Sequence, residues 1–271
     1  MILKKKAHKK IGLALGGGIA KGLAHIGVLK VFKREGIPVD YIAGSSIGAL
    51  VGGWYALHGG VDAAEELFLK LKFLDLFPLK EAILGGSKQG PWKGEAVRKL
   101  LTEQFRDARI EDARIPFVAI ATDAETGNEV LIGKGNMADA IRASIAAPAL
   151  FDSSLVAGRR MIDGSFSNPF PVDRVRELGA DVVIGVDLTY FPKSALEKRG
   201  SIARAYRGVS DTVMFLQHQL TRRISPPADI MIRPPLEEID WFAFGRAAEI
   251  IKIGEEEAER HIKAIRRKAG L

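Results

Sequence analysis

The sequence predicts an α/β protein of three layers, α/β/α, in which helices cover both faces of a mostly parallel sheet. Short apolar runs of the kind that form buried strands alternate with longer segments whose apolar residues recur at helical spacing. The composition, 47% hydrophobic and 27% charged over 271 residues, is typical of a globular protein with a large core. No repeat or linker divides the chain. Residues 11–271 are therefore expected to form a single domain that follows a basic tail, residues 1–10.

The first two strand-helix units are the clearest elements. Residues 11–15 form an apolar run that ends in a glycine turn, and residues 20–35 follow with apolar side chains at helical spacing. Residues 39–43 predict the second strand. A second glycine-containing turn, residues 44–48, then leads into a helix over residues 49–57.

The remaining elements continue the alternation of strands and helices. Turn residues at 125–128 separate two β-type runs and predict a hairpin, and Pro148 ends a helix of small residues. The later predicted strands are residues 115–122, 129–132, 155–157, 160–162, 181–187 and 230–233, and the later predicted helices are 138–147, 172–178, 202–223 and 247–267.

Charge and composition exclude several classes of function. The net charge of +7 comes from 40 Lys and Arg against 33 Asp and Glu, and five tail lysines supply most of it: Lys4, Lys5, Lys6, Lys9 and Lys10. A nearly neutral body argues against a nucleic-acid partner. The tail is expected either to be a solubilising terminus or to make peripheral contact with an anionic membrane.

The absence of cysteine and the lengths of the apolar runs limit the possible chemistry and location of the protein. The chain has no cysteine, which excludes disulfides, thiolate metal sites and a cysteine nucleophile, and which favours a cytoplasmic location. No run of 18 uninterrupted apolar residues occurs, so no helix is expected to span a membrane.

The turn Gly44-Ser45-Ser46-Ile47-Gly48 is the strongest chemical signal. In the pattern Gly-x-Ser-x-Gly, the serine occupies a strained turn between a strand and a helix, which exposes its hydroxyl as a nucleophile. Gly44 and Gly48 are needed because side chains at those positions would collide with the neighbouring elements. The helix that begins at the turn also places partial positive charge beside a forming oxyanion. Ser46 is therefore the candidate nucleophile.

The first glycine turn lies at the edge of the sheet where open α/β proteins bind ligands. Gly16, Gly17 and Gly18 follow the first strand, and backbone N–H groups without neighbouring side chains can approach an acyl oxygen. Lys21 and Gly22 come one turn later and are expected to set the conformation of this loop. A solvated position on the first helix is the alternative for Lys21.

A serine nucleophile needs a base, and none of the five histidines is well placed to serve. They lie in the tail, inside the first helix, at the far end of the second helix and in two long amphipathic helices: His8, His25, His58, His218 and His261. Asp163 is the other candidate, because it follows an apolar hairpin and precedes Gly164 at the edge of the sheet. A simple Asp-Gly turn is the structural alternative.

Four stretches follow one another in an order and spacing that are far more specific than any single motif. They are residues 15–29, a glycine loop with the first helix; 44–48, a nucleophile elbow; 143–151, an Ala-Ser-x-Ala-x-Pro segment; and Asp163-Gly164 with Asn168 and Pro169. Over about residues 10–190 the chain resembles the patatin-like phospholipases, and more closely their compact bacterial members. Residues 232–258 also resemble the closing segment of the bacterial members.

The resemblance implies the patatin-like fold and a Ser-Asp dyad without histidine. Ser46 would attack the acyl carbonyl of a lipid or ester substrate and Asp163 would take and return the proton, with no cofactor or metal. The N–H groups around Gly17, Gly18 and Ile19 would form the oxyanion hole.

Three positions depart from the family pattern. Ile19 stands where many members have a further glycine, Lys21 replaces the usual arginine, and Ser165 occupies the third position of the Asp-Gly-Gly or Asp-Gly-Ala motif. Ser165 is small, so the dyad is expected to survive.

Three other functions compete with this interpretation. A dinucleotide-binding enzyme would use Gly16, Gly18 and Gly22, with Asp40, near the end of the second strand, as the ribose-binding acid. An ordinary α/β-hydrolase would use His218 as its base. A non-catalytic lipid-binding protein on the same fold is the third.

The apolar segment 67–84 and residues 241–244 raise the question of where an acyl chain would bind. Phe68, Leu71 and Phe77 are expected to line an acyl channel beside Ser46, since each buried methylene contributes about 0.8 kcal/mol. Ordinary packing against the sheet is the favoured alternative for residues 241–244.

Overall fold

The computed structural model describes residues 8–71, 73–76, 93–148, 150–189 and 203–271. Its centre is a sheet of eight strands in the order β5-β6-β3-β2-β1-β7-β8, with β4 also paired to β3. The strands are β1 (Ile11–Leu15), β2 (Tyr41–Ser45), β3 (Phe117–Asp123), β4 (Glu129–Ile132), β5 (Ser154–Val156), β6 (Arg159–Asp163), β7 (Val182–Val186) and β8 (Ile230–Ile232).

The helices that connect these strands cover both faces of the sheet. They are α1 (Ala24–Arg34), α2 (Ile47–His58), α3 (Asp62–Lys70), α4 (Phe73–Leu76), α5 (Glu95–Phe105), α6 (Met137–Ser144), α7 (Val172–Glu177), α8 (Ala203–Ile224) and α9 (Ala247–Ala269). Short 3-10 helices lie at Ile19–Leu23, Ile110–Asp112, Gly164–Phe166 and Phe244–Arg246.

The side chains of β1 show how the sheet is covered. Leu13 and Leu15 belong to the larger hydrophobic core, which includes residues of α1, α2 and α9. Ala14 points the other way and packs in a smaller core that includes Val175 of α7. Because all the side chains of this strand are buried, it reads as a continuous apolar run, as expected for a parallel sheet between two helical layers. The predicted α/β/α fold is confirmed.

The pairing of β3 explains how two distant segments meet. β2 runs parallel to β3 with Ser45 opposite Ile120, and β4 lies on the other side of β3. β6 is antiparallel to β3 with Asp163 opposite Ala121. Ala121 and Thr122 of β3 pair with β4 on one edge and with β6 on the other. Since β2 also lies on the edge opposite β4, β6 and β2 share one edge of β3. The carboxyl ends of β2 and β6 therefore meet almost end to end beside β3.

Several expectations from the sequence need correction. The predicted strand 39–43 is shifted, so Asp40 precedes β2, and its carboxylate accepts hydrogen bonds from the Ile11 N–H and Lys10 Nζ at the amino edge of the sheet. This position rules out Asp40 as a ribose-binding acid at the carboxyl edge. Helix α5 was not predicted, although Val97, Leu101 and Phe105 recur every four residues on its buried face.

Two predictions about peripheral segments fall partly outside the described residues. Of the three proposed channel residues, Phe68 is buried in the larger core, Leu71 is partly buried against it, and Phe77 lies outside the described residues. The tail lysines Lys4, Lys5 and Lys6 also lie outside them. Among the helices that the structure describes, none is long and apolar enough to cross a membrane.

Candidate active site

Ser46 lies in a strained turn between β2 and α2. Its φ of 54° and ψ of −125° place it in a region that residues with a Cβ rarely adopt. The Ser46 carbonyl accepts hydrogen bonds from the N–H groups of Ala49 and Leu50, so the helix begins directly at the serine. Strain of this kind persists only where the surrounding structure enforces it, and it is concentrated at functional sites.

The glycines that flank Ser46 are required by close backbone contacts. A Cβ built on Gly44 would lie 2.4 Å from the carbonyl oxygen of Gly48, and a Cβ built on Gly48 would lie 2.2 Å from the carbonyl oxygen of Leu15. Real Cβ atoms do not approach backbone atoms so closely. The two glycines therefore allow the turn to fold tightly against the end of β1, as the sequence motif predicts.

Ser46 and Asp163 are joined by a short hydrogen bond. The hydroxyl of Ser46 donates to Asp163 Oδ2 over 2.6 Å, and the other carboxylate oxygen accepts the N–H of Ser165 over 2.8 Å. Both Ser46 and Asp163 are buried. The structure thus brings the predicted nucleophile and the predicted base into direct contact through the end-to-end meeting of β2 and β6.

The electrostatic surroundings of Asp163 make it a stronger base than an exposed aspartate. Burial raises the pKa of Asp163 to about 6, because removal from water disfavours the charged carboxylate, while hydrogen bonds from Ser46 and Ser165 oppose the rise. A carboxyl group with a pKa near 6 is largely ionised at neutral pH and still accepts a proton readily. Asp163 is therefore suited to general-base catalysis.

The glycine loop lies directly against Ser46. A Cβ built on Gly17 would lie 3.5 Å from the Cβ of Ser46 and 2.3 Å from the hydroxyl oxygen of Ser165, so a side chain at position 17 would displace that hydroxyl. At Gly22, a Cβ would lie 2.1 Å from a methyl carbon of Ile47 at the start of α2. These contacts hold the loop and the nucleophile turn together.

Two N–H groups of the glycine loop already donate to backbone carbonyls. The Gly16 N–H donates to Val186 O, and the Gly17 N–H donates to Pro169 O, both over 3.1 Å. For the N–H groups of Gly18 and Ile19, no backbone acceptor occurs within the described ranges. Ile19 has a positive φ of 47°, which is uncommon for a β-branched residue and marks a second strained position.

Lys21 is not a solvated residue, so that alternative is wrong. Only 8% of its surface is exposed, and its ammonium nitrogen lies 3.9 Å from the centre of the Trp241 ring, a cation–π contact. The carbonyl of Trp241 also accepts the N–H of Ala20 over 3.0 Å. Trp241 therefore holds the short helix that follows the glycine loop.

The histidines take other roles in the structure. His25 is fully buried in α1 with Nε2 2.8 Å from the carbonyl oxygen of Gly16, and His58 packs against Trp54 and Phe105. His261 contacts Glu257 within α9. Since the hydroxyl of Ser46 donates to Asp163, the assignment of His218 as the base of an α/β-hydrolase triad is not supported.

Sequence reasoning missed a hydrogen bond that supports the nucleophile turn. The hydroxyl of Ser144, at the end of α6, accepts the N–H of Ser46 over 2.9 Å, and both residues are buried. Ser144 lies in the Ala-Ser-x-Ala-x-Pro segment that was singled out without a role for its serine. The segment was visible in the sequence, but its contact with a residue 98 positions away was not.

Comparison with known proteins agrees with this geometry. A family model described as "Patatin-like phospholipase" matches residues 13–176, which is more than half of the chain and includes both glycine turns, Ser46 and Asp163. The chain belongs to the patatin-like phospholipase family. The match ends before α8, β8 and α9, so the Trp241 contact lies outside the family match.

The similar curated proteins are much longer than this chain. "Lysophospholipase NTE1" of Pyricularia oryzae is 25% identical over 93% of this chain and 18% of its own length. The NTE family protein Rv1063c of Mycobacterium tuberculosis is 35% identical over 66% of this chain and 49% of its own length. The chain therefore spans less than half the length of these relatives. Among solved structures, VipD of Legionella pneumophila covers 95% of this chain and 67% of its own at 12% identity with a TM-score of 0.47, a likeness too weak to carry an argument.

Proposed function

We propose that this chain is a serine hydrolase that cleaves carboxylic (acyl) esters of lipids, a reaction of the phospholipase, lysophospholipase or esterase type. The observation that carries the proposal is the 2.6 Å hydrogen bond from the hydroxyl of Ser46 to the buried carboxylate of Asp163. The family description and the relatives named lysophospholipase support the same class of substrate.

The first half of the proposed reaction forms an acyl-enzyme. The oxygen of Ser46 attacks the acyl carbonyl carbon, its proton passes to Asp163 Oδ2, and the carbonyl electrons move onto the oxygen to give an oxyanion. The oxyanion then re-forms the carbonyl and expels the alcohol, which leaves with the proton from Asp163. The pKa of about 6 suits both the uptake and the return of this proton.

The second half hydrolyses the acyl-enzyme by the same groups. A water molecule gives a proton to Asp163 and attacks the acyl carbon. Collapse of the second oxyanion breaks the bond to Ser46, whose oxygen recovers the proton, and the carboxylic acid leaves. No cofactor or metal is part of this scheme.

The oxyanion is assigned to the glycine loop. The N–H groups of Gly18 and Ile19 are the donors in the proposed hole, because the Gly17 N–H already donates to Pro169. Gly17 contributes instead by bringing the loop backbone against Ser46. The amino end of α2 adds partial positive charge at the same place.

A fluorophosphonate probe and a p-nitrophenyl ester series test the proposal. We expect the probe to label wild type at Ser46, and Ser46→Ala to lose both labelling and turnover, since the nucleophile is gone. Ser154→Ala in β5 is the control and should keep both. Labelling at another serine, or undiminished turnover by folded Ser46→Ala, would contradict the assignment.

The same experiment decides the remaining alternative. A non-catalytic lipid-binding protein on this fold would bind a fatty acyl ligand but would be neither labelled at Ser46 nor active on any ester of the series. A graded set of p-nitrophenyl and lysophospholipid esters would also show the preferred acyl length. Phe68→Ser and Leu71→Ser would then test the predicted acyl channel, since a preference unchanged in the folded variants would show that these residues belong to the core alone.

A further inference from the structure

His25 is a buried polar residue beneath the glycine loop, and the catalytic scheme above gives it no role. Its side chain is fully buried in α1, and Nε2 lies 2.8 Å from the carbonyl oxygen of Gly16. Because a carbonyl oxygen only accepts hydrogen bonds, Nε2 must carry the hydrogen. Burial lowers the pKa of His25 to about 4, so the ring is neutral at neutral pH and its other nitrogen, Nδ1, carries no proton.

The His25 hydrogen bond completes a clamp on one peptide group of the loop. The peptide that joins Gly16 and Gly17 has its oxygen bonded to His25 Nε2 and its N–H bonded to Pro169 O over 3.1 Å. Peptides between glycines rotate more freely than others, because no Cβ limits their dihedral angles. Fixing both ends of this peptide therefore restricts the directions in which the following N–H groups can point.

The unpaired nitrogen of His25 argues against a role in packing alone. Nδ1 is buried and has no hydrogen-bond partner among the described residues, a state that costs free energy. An aliphatic side chain would fill the same space without this cost. The benefit of histidine at this position lies in the rigid donor that it offers to the Gly16 carbonyl.

We propose that His25 is a positioning residue for the oxyanion hole: its Nε2–H fixes the Gly16 carbonyl, so that the N–H groups of Gly18 and Ile19 face the oxygen of the substrate carbonyl whose carbon Ser46 attacks. This inference rests on the proposed hydrolase function. Without the donor, the Gly16–Gly17 peptide can rotate and misalign the hole. The loss falls on the transition state and not on substrate binding, because negative charge develops on the substrate oxygen only as Ser46 attacks.

A matched pair of variants tests the role. His25→Gln and His25→Met introduce linear side chains of similar size, but only glutamine has an N–H that can reach the Gly16 carbonyl. We expect His25→Met to lower kcat on a p-nitrophenyl ester by roughly 10- to 100-fold with KM changed by less than about threefold. His25→Gln should recover at least part of kcat, and a trifluoromethyl ketone inhibitor should lose affinity for His25→Met in parallel with kcat.

The controls separate this inference from the function on which it rests. Wild type that is not labelled by fluorophosphonate overturns the proposed function and this inference with it. If wild type is labelled at Ser46 and folded His25→Met has a kcat within twofold of wild type, only the role of His25 is overturned. Equal losses in both variants also overturn it, since the donor then makes no difference.

A spectroscopic measurement on wild type covers the case in which His25→Met does not fold. In ¹⁵N NMR spectra, His25 should be a neutral ring with hydrogen on Nε2 throughout pH 5.5–8. A neutral ring with hydrogen on Nδ1 and none on Nε2 is incompatible with the clamp, because Nε2 then has no hydrogen to donate to the Gly16 carbonyl.

Discussion

At the scale of single residues, the site depends on one strained serine that neighbouring groups hold in place. A positive φ at a residue other than glycine costs roughly 1–3 kcal/mol, and Ser46 adopts 54°. The Ser144 hydroxyl accepts the N–H of Ser46, and α2 begins at its carbonyl. These bonds keep the hydroxyl of Ser46 directed at Asp163.

Asp163, the proposed general base, should determine how kcat/KM depends on pH. Asp163 must be ionised to take a proton, and burial raises its pKa to about 6. We therefore expect kcat/KM to be low in acid and to rise with pH through about 6, then to level off. Asp163→Asn should lower turnover by roughly 10² to 10⁴, the effect typical of a lost acid-base group. Steady-state kinetics from pH 4.5 to 8.5 would measure both effects.

The control for this prediction is His218→Gln, which replaces another titratable group outside the Ser46–Asp163 pair. The acid limb should stay at about pH 6 in that variant. A limb that disappears in His218→Gln, or that persists at the same pH in Asp163→Asn, would show that Asp163 is not the titrating base.

The sequence predicts some of these residues and not others for a physical reason. Ser46 is identifiable because the glycines that allow its turn are two residues away along the chain. The contacts of His25 and Ser144 are not, since His25 bonds a backbone carbonyl and Ser144 meets Ser46 only after α6 docks. Any polar side chain at those positions would look equally ordinary in the sequence.

At the scale of secondary structure, the last helix supports the first one. α1 and α9 cross at two glycines: a Cβ on Gly27 would lie 2.0 Å from the Ile251 carbonyl oxygen, and a Cβ on Gly254 would lie 2.2 Å from the Ala24 carbonyl oxygen. The backbones therefore pack directly against each other next to His25. α9 lies beyond the family match, yet it supports the helix that carries this histidine.

This close crossing predicts a loss of stability in Gly254→Ala. Alanine in the middle of a helix ordinarily stabilises it by up to about 1 kcal/mol, but here the added methyl group meets backbone rather than a movable side chain. We expect a net loss of about 1–3 kcal/mol, the range for overpacking. Thermal unfolding would measure it, as a lower Tm.

Gly245→Ala is the matched control, because a Cβ at that glycine would have nothing within 4 Å. Its Tm should stay close to that of wild type. If Gly254→Ala were as stable as Gly245→Ala, the two helices would have to be less closely packed than the structure shows.

The sequence predicts most of the individual strands and helices, with α5 as an exception, but it does not predict how the strands pair. Most predicted strands and helices lie within a few residues of the observed ones, and α5 was missed despite its regular apolar spacing. The end-to-end meeting of β2 and β6 could not be predicted, because the register of β6 is set by antiparallel pairing with β3. That register brings Asp163 to Ser46.

At the scale of the whole molecule, Lys9 and Lys10, the last residues of the basic tail, lie at the edge of the sheet opposite the candidate active site. The Lys9 N–H donates to Ala269 O, and Lys10 pairs with Asp40 over 2.7 Å at the amino end of β1. Strands rise about 3.3 Å per residue, so Lys10 lies roughly 20 Å before Gly16, the first residue of the glycine loop. The tail therefore joins the domain far from the edge that carries Ser46, so its charge should act on membrane contact independently of turnover.

Substituting Lys4, Lys5 and Lys6 by glutamine tests this independence. Each lysine near an anionic surface contributes about 1 kcal/mol, so the loss of three should weaken binding to anionic vesicles by roughly 100-fold. Turnover of a soluble p-nitrophenyl ester should not change, because no tail lysine is part of the proposed mechanism. Vesicle sedimentation would measure the binding, with neutral phosphatidylcholine vesicles as the baseline.

The control neutralises three exposed lysines of the domain, Lys99, Lys134 and Lys263. Equal weakening in both variants would mean that net charge alone attracts the vesicles, and no weakening in the tail variant would leave the tail as a solubilising terminus.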